Sequence, residues 1–592
     1  MIVNCGQLTA NDVGKNVEVY GWCRYKRDHG GKLFIDLADR YGITQLVFEG
    51  KVNDRASELG KEYVIKVNGS VRKRSQETID KDNPTGTVEV YVKDYELINA
   101  SLLPPFELID EKKKFLANED LRMKYRYLDL RRKEMIKRVE FRDRVTKTIR
   151  KFLWDNGFME LETPTLVKDT YETGSRTFLV PSRTNPGKFY ALAQSPQMYK
   201  QLCMISGLDK YFQVAHAFRD EDPREDRQPE HTQIDLEVSF KDEEYIQGLI
   251  EGLLAEVFEK SLGKKIGTPF KHMDYFYAME NYGSDKPDLR FDSKIVDITN
   301  EIADSDYKIV KRVIENKGKV RAVAFAAGFG TDKPILDKQY MLRLIETAKS
   351  LGLAGLTWLY VKNGVIASEP ESISETLKKV EQRIIVKLDA KDGDVILMCS
   401  DVSDQLLLSV LGKIRKEVGR KIGKFSNEYE ILWVDGFPLF EKDEVTNQFK
   451  PSHNPFTSPN QSTVRYMESE PEKVIGRQYD LVINGEECGG GSIRISNPDI
   501  QKAVFKTIGM TDEQIERTFG FMVEALRYGA PIHGGIALGL DRLLTILSNE
   551  SDIREFILFP KNKKYESPID GSPTDINDKR LKDDYGILTG QM

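Results

Sequence analysis

The chain has 592 residues, 40% hydrophobic and 31% charged, which is ordinary globular material with room for about four domains. No apolar run approaches the roughly 20 residues a membrane helix needs, and Met1–Cys5 lacks a basic flank and apolar core, so neither a membrane partner nor a secretory signal is expected. Five scattered cysteines and six unclustered histidines argue for reduced thiols in the cytoplasm and against a structural transition-metal site, and the net charge of −6 excludes an overall basic footprint for nucleic acid.

Residues 1–104 form a small β module. Strand-like runs occur at Val17–Cys23, Leu33–Ala38, Thr44–Phe48, Tyr63–Val71 and Thr87–Ile98, with a short helical piece at Asp54–Leu59 between the third and fourth. Five strands with a helix in that place match an OB-fold barrel, whose strand face commonly binds single-stranded nucleic acid. Basic residues cluster at Arg24–Arg27 and Arg72–Arg74 beside aromatics such as Phe34. That pattern suits phosphate contacts with base stacking, and equally a solvated sheet edge guarded by cations.

Pro104-Pro105 and the charged run after it read as a linker, and 105–132 as a hinge with a basic helical patch from Arg122 to Arg132. A larger domain begins near Lys133 and is interrupted: 133–290 is its first part, 291–425 an insertion and 426–562 its second part. Within the first part, apolar Tyr211–Ala215 leads into a charged loop turned by Pro223 and Pro229, and alternating Gln233–Glu237 returns. Two strands so placed would bring Arg219 and Glu221 near Gln233, Asp235 and Glu237 on one surface. Such a density of both charges is hard to explain by packing, because charged side chains are rarely buried unless paired; a solvated hairpin is the alternative.

The insertion alternates strand-like segments such as Ala322–Phe325 with helices such as Gln339–Leu351 and Ile373–Val380, and lacks charged motifs. The interrupted pattern resumes at Ile431–Asp435. Near its end, His533-Gly534-Gly535 to Asp541-Arg542 runs into the apolar tract Leu543–Leu547. Glycines there let backbone approach a ligand, and an arginine at a helix start meets anions where the dipole favours them. Residues 563–592 read as a loosely held polar tail.

Phe218-Arg219-Asp220-Glu221 and Gly539-Leu540-Asp541-Arg542 resemble motifs 2 and 3 of the class II aminoacyl-tRNA synthetases. The segment around Val145, Ile149, Phe152 and Leu153, through Gly157 to Pro164, resembles motif 1. Gln194–Lys200, Gly283–Asp288 and Gly489–Arg494 resemble blocks of the bacterial aspartyl type. The resemblance implies an α+β multidomain fold: an OB-fold anticodon-binding barrel, an antiparallel-sheet catalytic domain with helices, and an inserted GAD-like α/β domain. It implies a homodimer with motif 1 at the interface, and activation of L-aspartate by ATP with Mg²⁺ before transfer to tRNA-Asp. Asparaginyl or lysyl relatives, a non-catalytic RNA-binding paralogue and a small-molecule ligase are the rivals. Retention of Arg219, Glu221, Glu487 and Arg542 speaks against the paralogue.

By the same resemblance Arg219 binds the α-phosphate and the substrate carboxylate, and Arg542 the γ-phosphate. Asp220, Glu221, Gln228, His231, Glu487, Gly539, Leu540 and Asp541 complete the ATP site. Both arginine tasks suit a planar, permanently charged guanidinium. Asp480 and Glu487 resemble the Mg²⁺ carboxylates, on neighbouring strands across the turn Asn484-Gly485, although Asp480 also reads as a merely exposed hairpin residue. Lys200 and Arg494 resemble the clamp on the aspartate side chain, with His453 nearby; Glu172, Gln197 and Asp235 resemble the groups around the ammonium. Arg27, His29, Phe34, Gln45 and Glu77 fall at positions of anticodon reading. His29, in Asp28-His29-Gly30-Gly31, resembles enzymes that also charge tRNA-Asn, whereas Glu77 stands where those often have glycine. Two other departures are His231, where many relatives have a stacking aromatic, and His453-Asn454, where they often have two histidines.

Overall fold

The computed structural model describes residues 1–108, 116–170, 175–222, 227–327, 335–443 and 446–587. The chain divides into two compact units, one of residues 1–142 with 557–574, the other of 143–556 with 575–592.

The first unit carries the barrel. Its strands are β1 (Asn16–His29), β2 (Lys32–Asp39), β3 (Gly42–Phe48), β4 (Val64–Lys73) and β5 (Val88–Asn99), with helix α1 (Lys51–Ala56) between β3 and β4. The order β1-β2-β3-β5-β4 closes through a β4–β1 pairing, so the sheet has no open edge among these strands. Every strand expected from the alternation is present. The helix starts at Lys51, three residues earlier than expected, just after Gly50, whose φ of 61° allows the sharp entry from β3. Alternation puts Val19, Leu37, Leu46, Ile65 and Val90 into one dry core. Each fully buried aliphatic side chain there contributes about 2 kcal/mol before entropy is charged against it.

The second unit holds the larger sheet. Helix α2 (Lys133–Asp155), which begins in the first unit, leads into β6 (Met159–Glu160); α3 (Gln197–Ile205), β7 (Lys210–Phe218), β8 (Glu230–Ser239), α4 (Glu243–Val257) and β9 (Lys271–Asp274) follow. The inserted segment then builds a separate antiparallel sheet of five strands, ordered Ile295–Asp297, Lys319–Phe325, Val395–Asp401, Thr357–Lys362, Val365–Ala367. Both its faces are dry: Val323, Phe325 and Trp358 lie in one cluster, Val320, Ala322 and Leu359 in the other. Helix α5 (Asp404–Ile422) leaves this sheet, capped by the Ser403 hydroxyl on Leu406 N–H and ended by Gly423 at φ 67°.

The large sheet is completed by β10 (Ile431–Asp435), β11 (Gln478–Ile483), β12 (Glu486–Ile493) and β13 (His533–Gly539), after which the chain enters α6 (Leu540–Leu547) directly. The order is β9-β10-β11-β12-β13-β8-β7-β6, antiparallel from β10 to β7 with a parallel strand at each edge. One face is apolar: Ile234, Leu236, Tyr479, Leu481, Ile536 and Leu538 are buried, and Gly534 lies against Ile246 of α4. The other face is left for chemistry. In the C-terminal segment expected to be loosely held, Asp578–Tyr585 form a helix whose Tyr585 carbonyl accepts from Gly187 N–H at 3.1 Å.

Candidate active site

The polar face of the large sheet opens into a cavity of about 310 Å³. Register explains its shape. Asp235 of β8 stands beside Ala537 of β13, Ala537 beside Gly490 of β12, and Gly490 beside Asp480 of β11, so one row crosses four strands. The ends of the row are carboxylates and its middle is nearly bare backbone. A Cβ on Gly490 would lie 3.0 Å from Asp480 Oδ1 and 3.4 Å from His453 Nε2, so glycine keeps this floor low.

A bulge makes the rest possible. Arg494 lies seven positions after Glu487, an odd interval that strict alternation would split between the two faces. The pairing shifts between Leu481 and Val482: Val482 opposes Glu487 but Leu481 opposes Gly489, leaving Cys488 as an extra residue. Glu487, Gly490 and Arg494 therefore all line the same cavity.

At one end two cations meet two anions in near-complete burial. Lys200 Nζ of α3 donates to Asp235 Oδ1 at 3.0 Å and lies 3.2 Å from Glu237 Oε2, with the lysine side chain 1% exposed. Arg494 Nε donates to Glu237 Oε1 at 3.0 Å, while its Nη2 reaches Gly535 O at 3.3 Å and Nη1 the Ser492 hydroxyl. Burial raises the Asp235 carboxyl above its ordinary range, with Lys200 opposing. Glu237 is pushed up by burial too, but Arg494 and Lys200 outweigh this and hold it below the ordinary range. Asp235 Oδ2, Gln197 Nε2 and Gln233 Oε1 are buried without a hydrogen-bond partner among the described residues, and all three side chains belong to the cavity lining.

At the other end stand Arg219, Gln228, His231, Gly539 and Arg542, with Glu221 ion-paired to Arg227. Arg542, near the start of α6, donates from Nη1 to Glu487 O at 2.8 Å, which ties the helix start to the bulged strand. Burial, with Arg219 and Arg542 close by, lowers His231 to about 3, so this imidazole is neutral at ordinary pH. His453 keeps an exposed edge, yet its recessed setting and then Arg494 lower it to about 4.

Asp480 is buried at 6% exposure, which replaces the reading of it as an exposed hairpin residue. Burial and then Glu487 raise its carboxyl well above the ordinary range. On Glu487 burial is outweighed by Lys286, whose Nζ lies 3.5 Å away, and by Arg542, leaving a net lowering. Two hard oxygen donors that repel each other across a hairpin are a donor set that a divalent cation shared with phosphate oxygens would relieve. Among the described residues no three His, Cys, Asp or Glu side chains form a complete metal cage.

Some expected ATP-site residues lie differently. Asp220 is exposed and Leu540 buried, and neither is among the lining residues; Asp541 lines the cavity, but its Oδ2 accepts from Thr232 N–H at 2.8 Å, pinning α6 to β8. Glu172 lies outside the described residues. Glu237, which the sequence places on one surface with Asp235, and Lys286, which falls within the Gly283–Asp288 block, were given no role at the site from the sequence. The first was signalled by its two-residue spacing from Asp235, whereas the second approaches Glu487 from 201 positions away.

On the barrel, Arg27 opposes Phe34 across β1 and β2, and His29 opposes Lys32 at the rim. Arg27 donates to Asp36 at 3.0 Å and to Gln45 at 3.3 Å, and Gln45 donates on to Glu89. Phe34, Arg27 and Gln45 thus share one surface, and Glu77 sits in the short helical turn Gln76–Thr78 that follows β4.

The family model described as tRNA synthetases class II (D, K and N) matches residues 118–563. The chain belongs to this family. A second model, the OB-fold nucleic acid binding domain, matches residues 17–98 of the synthetase. The synthetase is 42% identical over 586 residues to the aspartate–tRNA(Asp/Asn) ligase of Thermoanaerobacter sp. strain X514, covering 98% of this chain and 97% of that one. It is 43% identical to the ligase of the same name from Syntrophomonas wolfei, with 98% of each covered. Among solved structures, asparaginyl-tRNA synthetase from Pyrococcus horikoshii with asparaginyl-adenylate superposes with a TM-score of 0.58 at 18% identity, covering 94% of the synthetase and 97% of that chain. Aspartyl-tRNA synthetase from Entamoeba histolytica gives 0.55 at 16% identity, covering 95% and 92%. These two likenesses concern the fold.

Proposed function

We propose that this synthetase is an aspartate–tRNA ligase: it joins L-aspartate to ATP, forming aspartyl-adenylate and pyrophosphate, and passes the aspartyl group to the 3′ end of tRNA. The observation that carries this reading is the charge set of Lys200, Arg494 and Asp235 in one cavity with Arg219 and Arg542, backed by the buried Glu237 carboxylate that pairs with both cations. Lys200 and Arg494 receive the substrate's side-chain carboxylate. Asp235 and Gln233 offer acceptor oxygens to its ammonium, with the Gln197 amide beside them. Asparagine presents an amide to the two cations and leaves them poorly compensated, the kind of mismatch a buried site rejects strongly.

The chemistry is positioning and charge stabilisation, with no nucleophilic side chain required. Arg219 holds the aspartate α-carboxylate against the α-phosphate, the carboxylate oxygen displaces pyrophosphate, and Arg542 holds the γ-phosphate end. Neutral His231 lies against the adenine. Asp480 and Glu487 hold Mg²⁺, which when bound supplies charge compensation for the phosphates. A tRNA ribose hydroxyl then attacks the acyl carbon and releases AMP.

The Asp/Asn wording in the relatives' names, together with His29 at the barrel rim, supports charging of both tRNA-Asp and tRNA-Asn. Exposed Trp154 of α2 and Met159 of β6 support a homodimer through the motif 1 region, and no helix among the described residues is long and apolar enough to cross a membrane, in keeping with work in the cytoplasm. ATP–pyrophosphate exchange with each amino acid tests the core reading: exchange with aspartate alone is expected, and exchange with asparagine or lysine instead would overturn it. His29→Leu should reduce charging of tRNA-Asn more than of tRNA-Asp, and equal losses would remove the discriminating role.

A further inference from the structure

The described residues of the inserted segment include no cavity-lining residue, yet one face of its helix α5 is built for contact. Positions 412, 415, 416, 419 and 420 recur at helical spacing along that face. A Cβ on Gly412 would fall 2.2 Å from Gly283 O, and one on Gly419 2.2 Å from Phe291 Cε2, so both glycines permit an approach no other residue would. Between them, Arg415 Nη2 donates to the carbonyls of Asp288 and Phe291 at 3.0 and 3.1 Å, fixing segment 283–291.

The next turn of α5 grips a second piece. Lys416 Nζ donates to Gly485 O at 2.6 Å and lies 3.0 Å from Glu486 Oε1. Arg420 Nη2 donates to Asn484 O at 3.0 Å and to Glu486 Oε1 at 2.9 Å. These are the tip residues of the β11–β12 hairpin, and the tip itself abuts the first piece: a Cβ on Gly485, at φ 76°, would lie 2.6 Å from Asp288 Cβ. Glu486 points to the helix and Glu487, its strand neighbour, to the cavity. Segment 283–291 carries Lys286, whose Nζ lies 3.5 Å from Glu487 Oε2.

We propose that Arg415, Lys416 and Arg420 make the inserted domain a positioning device for the ATP site, clamping the hairpin tip and segment 283–291 so that Glu487 and Lys286 meet at the cavity. The inference rests on the reading of Glu487 as part of an ATP site. An isolated, part-exposed ion pair contributes little; here two cations share one carboxylate and also bind two turn carbonyls, so geometry rather than bulk stability is what they supply.

The test uses the full chain with Lys416→Ala/Arg420→Ala and the conservative Lys416→Arg/Arg420→Lys. Hydrogen exchange of the ligand-free protein should quicken about tenfold or more at 478–490 in the alanine variant, with 230–239 unchanged. In pyrophosphate exchange, ATP KM should rise about tenfold while aspartate KM stays within about twofold, and the conservative variant should recover most of the loss. Unchanged hairpin exchange, or equal rises in both KM values, would overturn the clamp. A wild-type protein without aspartate-dependent exchange would defeat the ligase reading instead, leaving the hydrogen-exchange result to judge the clamp alone.

Discussion

Glu237 decides more of the substrate end than its neighbours do. Its carboxylate is fully buried and serves Lys200 and Arg494 together, so removing its charge leaves two buried cations on one remaining acid. Glu237→Gln keeps the shape, and aspartate KM is expected to rise at least about tenfold with ATP KM within about twofold; steady-state exchange at varied aspartate checks this, and a rise in ATP KM alone would contradict it. His231 makes the opposite kind of residue-scale prediction. The unfolded chain takes up this proton near 6.5 and the folded chain only near 3, so its contribution to stability is intact above 6.5 and is lost as pH falls from 6.5 toward 3. The acid limb of thermal stability should flatten in His231→Phe, and the exchange rate between about pH 7 and 8 should show no limb that this variant removes.

Among the elements, the β11–β12 hairpin shows both what sequence makes legible and where it stops. Asp480 and Glu487 flank a turn whose two central residues both have positive φ, Asn484 at 53° and Gly485 at 76°, as the Asn-Gly pair foretells. The bulge at Cys488 has no comparable signature: three glycines follow it, and nothing in their order says that a Cβ at Gly490 rather than at Gly489 would point to Asp480 and His453. Arg219 and Arg542 were legible because each sits at an element edge beside glycine, proline or charge, whereas Lys286 depends on packing between distant segments. The two glycines separate cleanly by experiment. Gly490→Ala would crowd only the ends of the Asp480 and His453 side chains, while Gly489→Ala would put a Cβ 2.6 Å from the Ala537 carbonyl, inside the ladder. Gly490→Ala should fold with near-normal melting and lose exchange activity by about tenfold or more, whereas Gly489→Ala should lower the melting temperature. The reverse assignment of these outcomes would mean the bulge lies elsewhere.

At the scale of the molecule, the strand pattern of the barrel was legible because one closed layer buries one face of each strand. The insertion was legible as an interruption, but its contact with the β11–β12 hairpin was not, since Arg415, Lys416 and Arg420 look like an ordinary charged helix face. The barrel's core cluster lies wholly within residues 1–104, so that fragment should fold and melt cooperatively by itself. One buried charge complicates the cut. Glu62 holds a positive φ of 61° with its side chain fully buried, and is paired to Arg24 at 3.1 Å and to Arg131 at 3.1 Å. Ending the fragment at 104 removes Arg131 and leaves the carboxylate to Arg24 alone, which should cost about 1 kcal/mol because Arg131 is only partly screened from water. Fragment 1–132 should therefore melt about 5 °C above fragment 1–104, and Arg131→Ala in the longer fragment should erase the difference. Coincident melting of all three by circular dichroism would show that Arg24 satisfies Glu62 without help, and that the hinge contributes nothing to the barrel through this pair.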